Sequence, residues 1–247
     1  MASVLAKGET KISNAAREPE IEDLSKCLIK MGAKIEGHGT KTILVQGVTN
    51  LKKAEHEIIA DRIVAGTYII AALMLNSALE INNFNTIYLK SLIDILKKMG
   101  AKLKVSKNSI KVSKGSKLKS TSLSTSPYPG FPTDLQAQLM SLMCISDGKS
   151  KIKETIFENR FMHVPELNRL GANITVEKDT ATIIGNQTFK GAQVMASDLR
   201  ASISLVLAAM NANGQTTLNR VYHLDRGYEN IEKTLGSLGA KIKRQKN

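Results

Sequence analysis

One aspartate in this sequence has a lead-in that could aim its carboxylate at a ligand. Asp134 follows "PYPGFP" (127–132), which places three prolines and a glycine directly before an apolar run. Because proline fixes φ, we expect this approach to be rigid. We also predict that Asp134 caps the helix it begins, as Asp61 and Asp198 do in theirs, since aspartate accepts hydrogen bonds from free backbone N–H groups at a helix start. Capping would also lower the pKa of Asp134 and make it a weaker base.

Arginines at the entries of predicted helices could bind an anion. They are Arg160 in "ENRFMH", Arg226 in "LDRGYE" and, near the N-terminus, Arg17 in "AAREPE". A guanidinium beside a helix N-terminus offers what a phosphate or carboxylate site needs: a fork of donors and the positive end of the helix dipole. Arginines at such places also end as solvated or ion-paired surface groups, so both interpretations stay open.

The cysteines and histidines do not form a motif with catalytic or metal-ligand spacing. Cys27 and Cys144 lie in apolar, helix-like runs, and we predict both as core residues of a reduced, cytoplasmic protein. His163 and His223 are predicted to be structural. By pattern alone, Ile156 and Phe157 in "ETIFENR" are ordinary strand residues.

The composition favours a folded chain with an anionic partner. The formal net charge is +13, but the lysines are scattered and aromatic residues are only 4%, without a base-stacking motif. We therefore expect a lysine-rich solvated surface and no nucleic-acid binding. No apolar run reaches the roughly 18 residues of a membrane helix, so we expect no membrane partner.

The elements that must position these residues come from an internal repeat. A motif of leucine, two variable residues, methionine or leucine, glycine and alanine occurs four times, with its glycines 68, 71 and 68 residues apart. Such a period indicates one supersecondary unit used repeatedly. The four copies are "LIKMGAKI", "LKKMGAKL", "LNRLGANI" and "LGSLGAKI".

Each repeat reads as β-α-β-α-β-β. An aspartate (Asp61, Asp134 or Asp198) leads the first helix, a glycine caps the second, and alternating stretches such as "ANITVEK" and "TATII" predict a hairpin. Residues 1–57 contain only the later parts of a repeat, and the last repeat stops before its closing strand. We expect the first repeat to be truncated at its front and the last at its back.

Several long stretches resemble the UDP-N-acetylglucosamine 1-carboxyvinyltransferases, a family of enolpyruvyl transferases. The likeness covers residues 2–245 and is carried by "NAAREPEIEDL", "PYPGFPTDLQAQ", "ENRFMHVPEL", "GAQVMASDLRASISLVLA" and "YHLDRGYENIEKTLGSLGA". It implies an α/β (α+β) fold of inside-out α/β barrels built from such repeats, of which this chain would be the last three-fifths. Residues 1–57 would be the terminal part of the first domain. Residues 58–247 would be the second domain, lacking its N-terminal completing strands.

The resemblance also implies a reaction in peptidoglycan synthesis. The enolpyruvyl group of phosphoenolpyruvate is transferred to the 3-hydroxyl of UDP-N-acetylglucosamine by addition and elimination, and phosphate is released. The implied substrates are these two small molecules, the implied location is the cytoplasm, and no metal or organic cofactor is implied.

The resemblance also implies roles for individual residues of this chain that match functional positions of the family. Asp134 would contact the sugar hydroxyl and act as the base, and Arg226 would bind phosphoenolpyruvate or its phosphate. Arg160 and Arg200 would lie near the carboxylate, and Ile156 and Phe157 would line the nucleotide-sugar wall. The family's catalytic cysteine loop would precede Met1, and neither Cys27 nor Cys144 matches it.

Three alternatives remain at this stage. Because the cysteine loop is absent, we expect these 247 residues alone not to turn over. The chain could instead be a non-catalytic remnant, or a split-gene subunit that needs a separate N-terminal chain. The third hypothesis is a basic nucleic-acid binder, of which we expect little. The sister family, the 3-phosphoshikimate 1-carboxyvinyltransferases, is less favoured, because the quoted motifs separate the chain from it.

Overall fold

The computed structural model describes residues 1–245, so the last two residues of the predicted second domain lie outside the described part. The chain forms two compact units. Unit 1 contains residues 1–60 and 127–130, and unit 2 contains residues 61–126 and 131–247. The proline-rich stretch 127–132 is therefore divided, because its first four residues belong to unit 1 and the other two to unit 2.

The helices of the described residues alternate with short strands. The α-helices are α1 (Pro19–Lys30), α2 (Arg62–Met74), α3 (Lys90–Lys98), α4 (Gln136–Ile145), α5 (Val164–Arg169), α6 (Leu199–Asn211) and α7 (Ile231–Ser237). Short 3₁₀ helices occupy Ala2–Leu5, Thr86–Leu89, Thr133–Leu135 and Val221–Arg226.

The strands are three to five residues long. They are β1 (Glu9–Ser13), β2 (Lys34–Glu36), β3 (Thr42–Gln46), β4 (Leu79–Asn82), β5 (Leu103–Val105), β6 (Ser109–Val112), β7 (Ser122–Ser124), β8 (Lys149–Lys153), β9 (Asn173–Glu177), β10 (Thr180–Ile184), β11 (Gln193–Met195) and β12 (Thr217–Asn219). The predicted hairpins form as antiparallel pairs β2–β3, β5–β6 and β9–β10.

Unit 1 is a small sheet with one helix. Its strands run in the order β1-β3-β2 and are all antiparallel. Alternating residues of β3 point into the core, because Ile43 and Val45 are buried while the residues beside them are more exposed. Leu28 of α1 packs on these two side chains, and this contact closes a core of a few residues.

Unit 2 is built around helices α2, α4 and α6, which pack on one another. Nearly every residue of α2 and α4 is buried, as are eight residues of α6. The surrounding sheets have strand orders β4-β6-β5, β7-β8-β10-β9 and β11-β12. The second and third sheets each contain one parallel pair, β7–β8 and β11–β12, whose strands are joined through α4 and α6.

The repeated Gly-Ala closes a helix in all four copies, as predicted. Gly32, Gly100, Gly171 and Gly239 have φ between 97° and 101°. At the first copy, the N–H of Ala33 donates to the carbonyl of Leu28 and that of Gly32 to Ile29, and the other three copies repeat both bonds. This is the Schellman motif, which needs a left-handed residue and therefore favours glycine.

Among residues 1–245, none of the helices has the length and apolar character required to cross a bilayer.

Candidate functional site

Asp134 does not cap its helix, and in this respect the sequence prediction was wrong. The related residue Asp61 accepts hydrogen bonds from the N–H groups of Ile63 and Val64, at 2.7 and 3.0 Å. Asp198 accepts in the same way from Arg200 and Ala201. No side chain caps the 3₁₀ turn that contains Asp134 or the helix α4 that follows it.

The reason is a helical turn that begins early. In the sibling repeats the helix starts directly after the aspartate, at Arg62 and at Leu199. Here the 3₁₀ turn Thr133–Leu135 starts before Asp134, and the extended residue Pro132 precedes it. Asp134 consequently lies inside the first turn, where its side chain projects away from the free N–H groups.

The carboxylate of Asp134 is held by two guanidinium groups. Arg160 donates from Nη2 to Oδ1 at 2.7 Å, and Nη2 of Arg200 lies 3.0 Å from Oδ2. Burial alone would raise the pKa of Asp134, but hydrogen bonding and attraction from Arg200 and then Arg160 outweigh it and lower the pKa. Asp134 remains 41% exposed, so the cluster is open to solvent.

Two different elements bring the arginines to Asp134. Arg200 is the second residue of α6, and its backbone N–H is held by the Asp198 cap, so that cap also fixes the start of the arginine side chain. Arg160 lies in the turns between β8 and α5, with its guanidinium carbon 4.9 Å from the centroid of the Phe157 ring. Such a cation–π contact steadies a guanidinium over an aromatic face.

Arg160 retains a donor that its neighbours in residues 1–245 do not satisfy. Its side chain is 13% exposed, and Nε is buried with no hydrogen-bond partner in the described part of the chain. Buried donors are normally paired, and an unpaired one calls for an explanation. An anion bound beside Asp134 would provide it.

Glu154 is a buried residue of this region that the sequence reasoning missed. It directly follows β8, is 6% exposed, and its carboxylate accepts hydrogen bonds from two threonine side chains and two backbone N–H groups. No short stretch of sequence marks it, because its threonine partners Thr125 and Thr133 lie 29 and 21 residues before it. Ile156 and Phe157 supply the two N–H groups, and their own side chains are 42% and 58% exposed.

Arg226 is not part of this ion pair. It ends the 3₁₀ helix Val221–Arg226 with an exposed side chain, and no hydrogen bond or ion pair joins it to Asp134 within residues 1–245. The adjacent Asp225 is paired with both Nη atoms of Arg244. In unit 1, Arg17 donates to the carbonyl of Tyr128 at 2.9 Å.

The remaining titratable candidates are buried or isolated. Cys144 is fully buried, which raises the pKa of its thiol to about 12, whereas Cys27 is half-buried; both thiols are free. His163 is 2% exposed, and burial lowers its pKa to about 4, so it is neutral at pH 7. Within residues 1–245, His, Cys, Asp and Glu side chains do not gather in a group able to hold a metal ion.

The fold of the chain is the inside-out α/β fold of the enolpyruvyl transferases. The chain is similar to the crystal structure of the enolpyruvyl transferase NikO from Streptomyces tendae, with a TM-score of 0.88 and 28% identity over 98% of this chain and 58% of that one. The EPSP synthase from Acinetobacter baumannii gives a TM-score of 0.77 at 17% identity, over 99% and 60%, and that likeness concerns the fold alone.

Residues 1–235 match the family model of EPSP synthase (3-phosphoshikimate 1-carboxyvinyltransferase), and the chain belongs to this family. Curated relatives named UDP-N-acetylglucosamine 1-carboxyvinyltransferase share more than half of its residues. The relative from Azorhizobium caulinodans is 54% identical over 99% of this chain and 57% of its own length. The one from Pelagibacter ubique is 52% identical over 99% and 58%. The chain therefore spans little more than half the length of these relatives.

Proposed function

We propose that this chain provides acceptor-binding and anion-binding residues for enolpyruvyl transfer to UDP-N-acetylglucosamine, the first committed step of peptidoglycan synthesis. The observation that carries the proposal is the Asp134 carboxylate between Arg160 and Arg200, open to solvent at the end of a buried helix. The names of relatives at 52–54% identity support the choice of acceptor over 3-phosphoshikimate. In this proposal, residues 1–57 are the terminal part of one domain and residues 58–247 form a second domain.

The proposed reaction is an addition followed by an elimination. The 3-hydroxyl oxygen of the sugar bonds to C2 of phosphoenolpyruvate while its proton passes to Asp134, and a proton taken from solvent adds to the methylene carbon C3. The tetrahedral intermediate then returns a proton from C3 to solvent as the bond between C2 and the phosphate oxygen breaks. The products are the enolpyruvyl ether and inorganic phosphate.

The two arginines give Asp134 a means of becoming basic only when substrate is present. In the ligand-free site the guanidiniums lower the pKa of Asp134, which makes it a poor base. A phosphate or carboxylate of the substrates competes for Arg160 and Arg200, whose forks of donors match such groups. Losing part of either ion pair raises the pKa of Asp134 and frees one carboxylate oxygen for the sugar hydroxyl.

Other predicted residues take supporting roles in the proposal. Arg226 would bind phosphoenolpyruvate or its phosphate, because its exposed side chain is not engaged with Asp134. Ile156 and Phe157 would line the nucleotide-sugar wall, since both expose apolar surface close to Arg160 in the chain. The family resemblance and the two free cysteines support a cytoplasmic location.

Titration with the two rival acceptors tests the proposal. Purified chain with ¹³C-labelled carboxylates is titrated with UDP-N-acetylglucosamine and, separately, with shikimate 3-phosphate. We expect saturable binding of the nucleotide sugar with a shift of the Asp134 signal, and no saturable binding of shikimate 3-phosphate. Asp134→Asn should weaken binding of the nucleotide sugar. Asp94→Asn, which removes the carboxylate of an exposed surface ion pair, should leave that binding unchanged.

Calorimetry on the same samples gives the affinities. The proposal is overturned if shikimate 3-phosphate binds and shifts Asp134 while UDP-N-acetylglucosamine does not, or if neither ligand binds.

A further inference from the structure

The Glu154 carboxylate is a junction between separate segments of unit 2. Oε1 accepts from the Thr125 hydroxyl at 2.7 Å and from the backbone N–H groups of Ile156 and Phe157 at 2.9 and 3.2 Å. Oε2 accepts from the Thr133 hydroxyl at 2.9 Å. Both oxygens thus accept hydrogen bonds, and the donors come from three chain segments: one at Thr125, one at Thr133 and one at residues 156–157.

The segments joined by Glu154 carry the two partners of one ion pair. Thr133 is the residue directly before Asp134. The hydrogen bond that its hydroxyl donates to Oε2 therefore fixes the start of the 3₁₀ turn that presents the Asp134 carboxylate. Phe157 lies under the Arg160 guanidinium, so the bonds from Oε1 fix the loop that presents the cation. One buried carboxylate therefore connects the backbone segment that carries Asp134 with the loop that carries Arg160.

The hydrogen bonds of Glu154 explain how a carboxylate is tolerated at 6% exposure. Burying a charged group is costly unless its lone pairs are satisfied, and here neutral donors satisfy them. Within residues 1–245 no lysine or arginine forms an ion pair with Glu154. Oε1 must be an acceptor, because two backbone N–H groups donate to it. An amide in place of the carboxylate would turn its N–H donors toward Thr133, whose hydroxyl would then have to reverse its hydrogen bond and accept.

We propose that Glu154 is a positioning residue that sets the separation between Asp134 and the Arg160 guanidinium. It touches neither substrate nor the reacting atoms and acts through Thr133 and Phe157. Its effect on substrate rests on the proposed function, whereas its effect on the ion pair does not.

The pKa of Asp134 in the ligand-free chain separates positioning from other effects. If Glu154→Gln loosens the Asp134–Arg160 pair, the lowering by Arg160 is lost in part and the pKa of Asp134 rises. Removing a negative charge without moving the pair would lower that pKa instead. A merely structural role would reduce stability and leave the pKa unchanged. The sign of the change therefore identifies the mechanism.

The experiment compares Glu154→Gln with variants that isolate one bond. Thr133→Val removes only the Oε2 partner, Thr133→Ser restores its hydroxyl, and Glu158→Gln removes the same charge at an exposed residue of the same loop. ¹³C titration of Asp134 should give a raised pKa in Glu154→Gln and Thr133→Val. Thr133→Ser should match the wild type, and Glu158→Gln should show no increase.

Affinity for UDP-N-acetylglucosamine provides the second measurement. Losing the buried hydrogen bonds should weaken binding about tenfold in Glu154→Gln. If the wild-type chain does not bind this ligand, the proposed function fails, yet the ligand-free titration still decides the role of Glu154. An unchanged or lowered pKa of Asp134 in Glu154→Gln overturns the inference. If that variant does not fold, the same result in Thr133→Val overturns it.

Discussion

Asp134 and Arg160 are 26 residues apart in the chain and are joined by a 2.7 Å hydrogen bond between Oδ1 and Nη2. The other carboxylate oxygen faces Nη2 of Arg200 at 3.0 Å. Each guanidinium therefore has its own oxygen, and the aspartate bridges a loop and a helix that are distant in sequence. The lowered pKa of Asp134 is the measurable property of this arrangement.

Removing Arg200 should raise the pKa of Asp134. Arg200 is the strongest of the influences that lower it, ahead of Arg160, so Arg200→Ala leaves the raising effect of burial less opposed. A ¹³C titration of the carboxyl carbon measures the change. Arg226→Ala is the matched control, because Arg226 has no bond to Asp134 in the described residues. An equal shift in both variants would contradict the proposed arrangement.

His163 should make stability fall as the pH is lowered from about 6.5 to 4. Burial, the largest influence, lowers its pKa to about 4, so across this range the unfolded chain takes up a proton that the folded chain does not. The free energy of unfolding decreases by up to about 3 kcal/mol from this residue alone. Urea unfolding measured across this pH range should show a weaker pH dependence in His163→Gln than in the wild type.

Replacing Asp61 by alanine should remove the N-terminal cap of α2. Two backbone N–H groups lose their acceptor, which destabilises unit 2 by about 1 kcal/mol. Asp61→Asn should recover most of the loss, because asparagine caps equally well. Denaturant midpoints of the two variants provide the comparison, and equal losses in both would show that the negative charge matters rather than the hydrogen bonds.

Two glycines should respond to alanine with opposite signs. A Cβ at Gly185 would lie 1.8 Å from the carbonyl oxygen of Ser146, a backbone atom, and we expect Gly185→Ala to destabilise by at least about 2 kcal/mol. Gly236 lies exposed in α7 with nothing within 4 Å of the added Cβ. Gly236→Ala should stabilise by about 0.5–1 kcal/mol, since glycine disfavours helix. Thermal unfolding of the two variants tests both signs.

The repeat and its helix ends could be predicted because they depend on neighbouring residues. Each Gly-Ala closes a Schellman motif, in which the glycine N–H donates to a carbonyl three residues earlier and the alanine N–H to one five residues earlier. The signal is therefore contained in eight letters of sequence. The hairpins that follow also come from local alternation. The period then extended the predicted helix end to four copies and the predicted hairpin to three.

The site depended on information that no short window contains. "TDLQA" and "SDLRA" look alike, yet Asp198 caps its helix and Asp134 does not, because the helical turn after Pro132 starts two residues earlier relative to the aspartate. The resemblance indicated Arg160 and Arg200, but the sequence did not reveal that both contact Asp134. Glu154 was missed because its partners Thr125 and Thr133 are 29 and 21 residues away.

The burial of α4 on every side limits how this unit can change its chemistry. Residues 136–144 are all buried against other elements, so the helix presents no lateral surface to solvent. The exposed carboxylate of Asp134 lies in the turn at its N-terminal end, so this end is where the candidate site opens to solvent. New specificities within this architecture would therefore arise by exchanging the loops around that entrance, such as residues 155–163, while the helix itself tolerates little substitution.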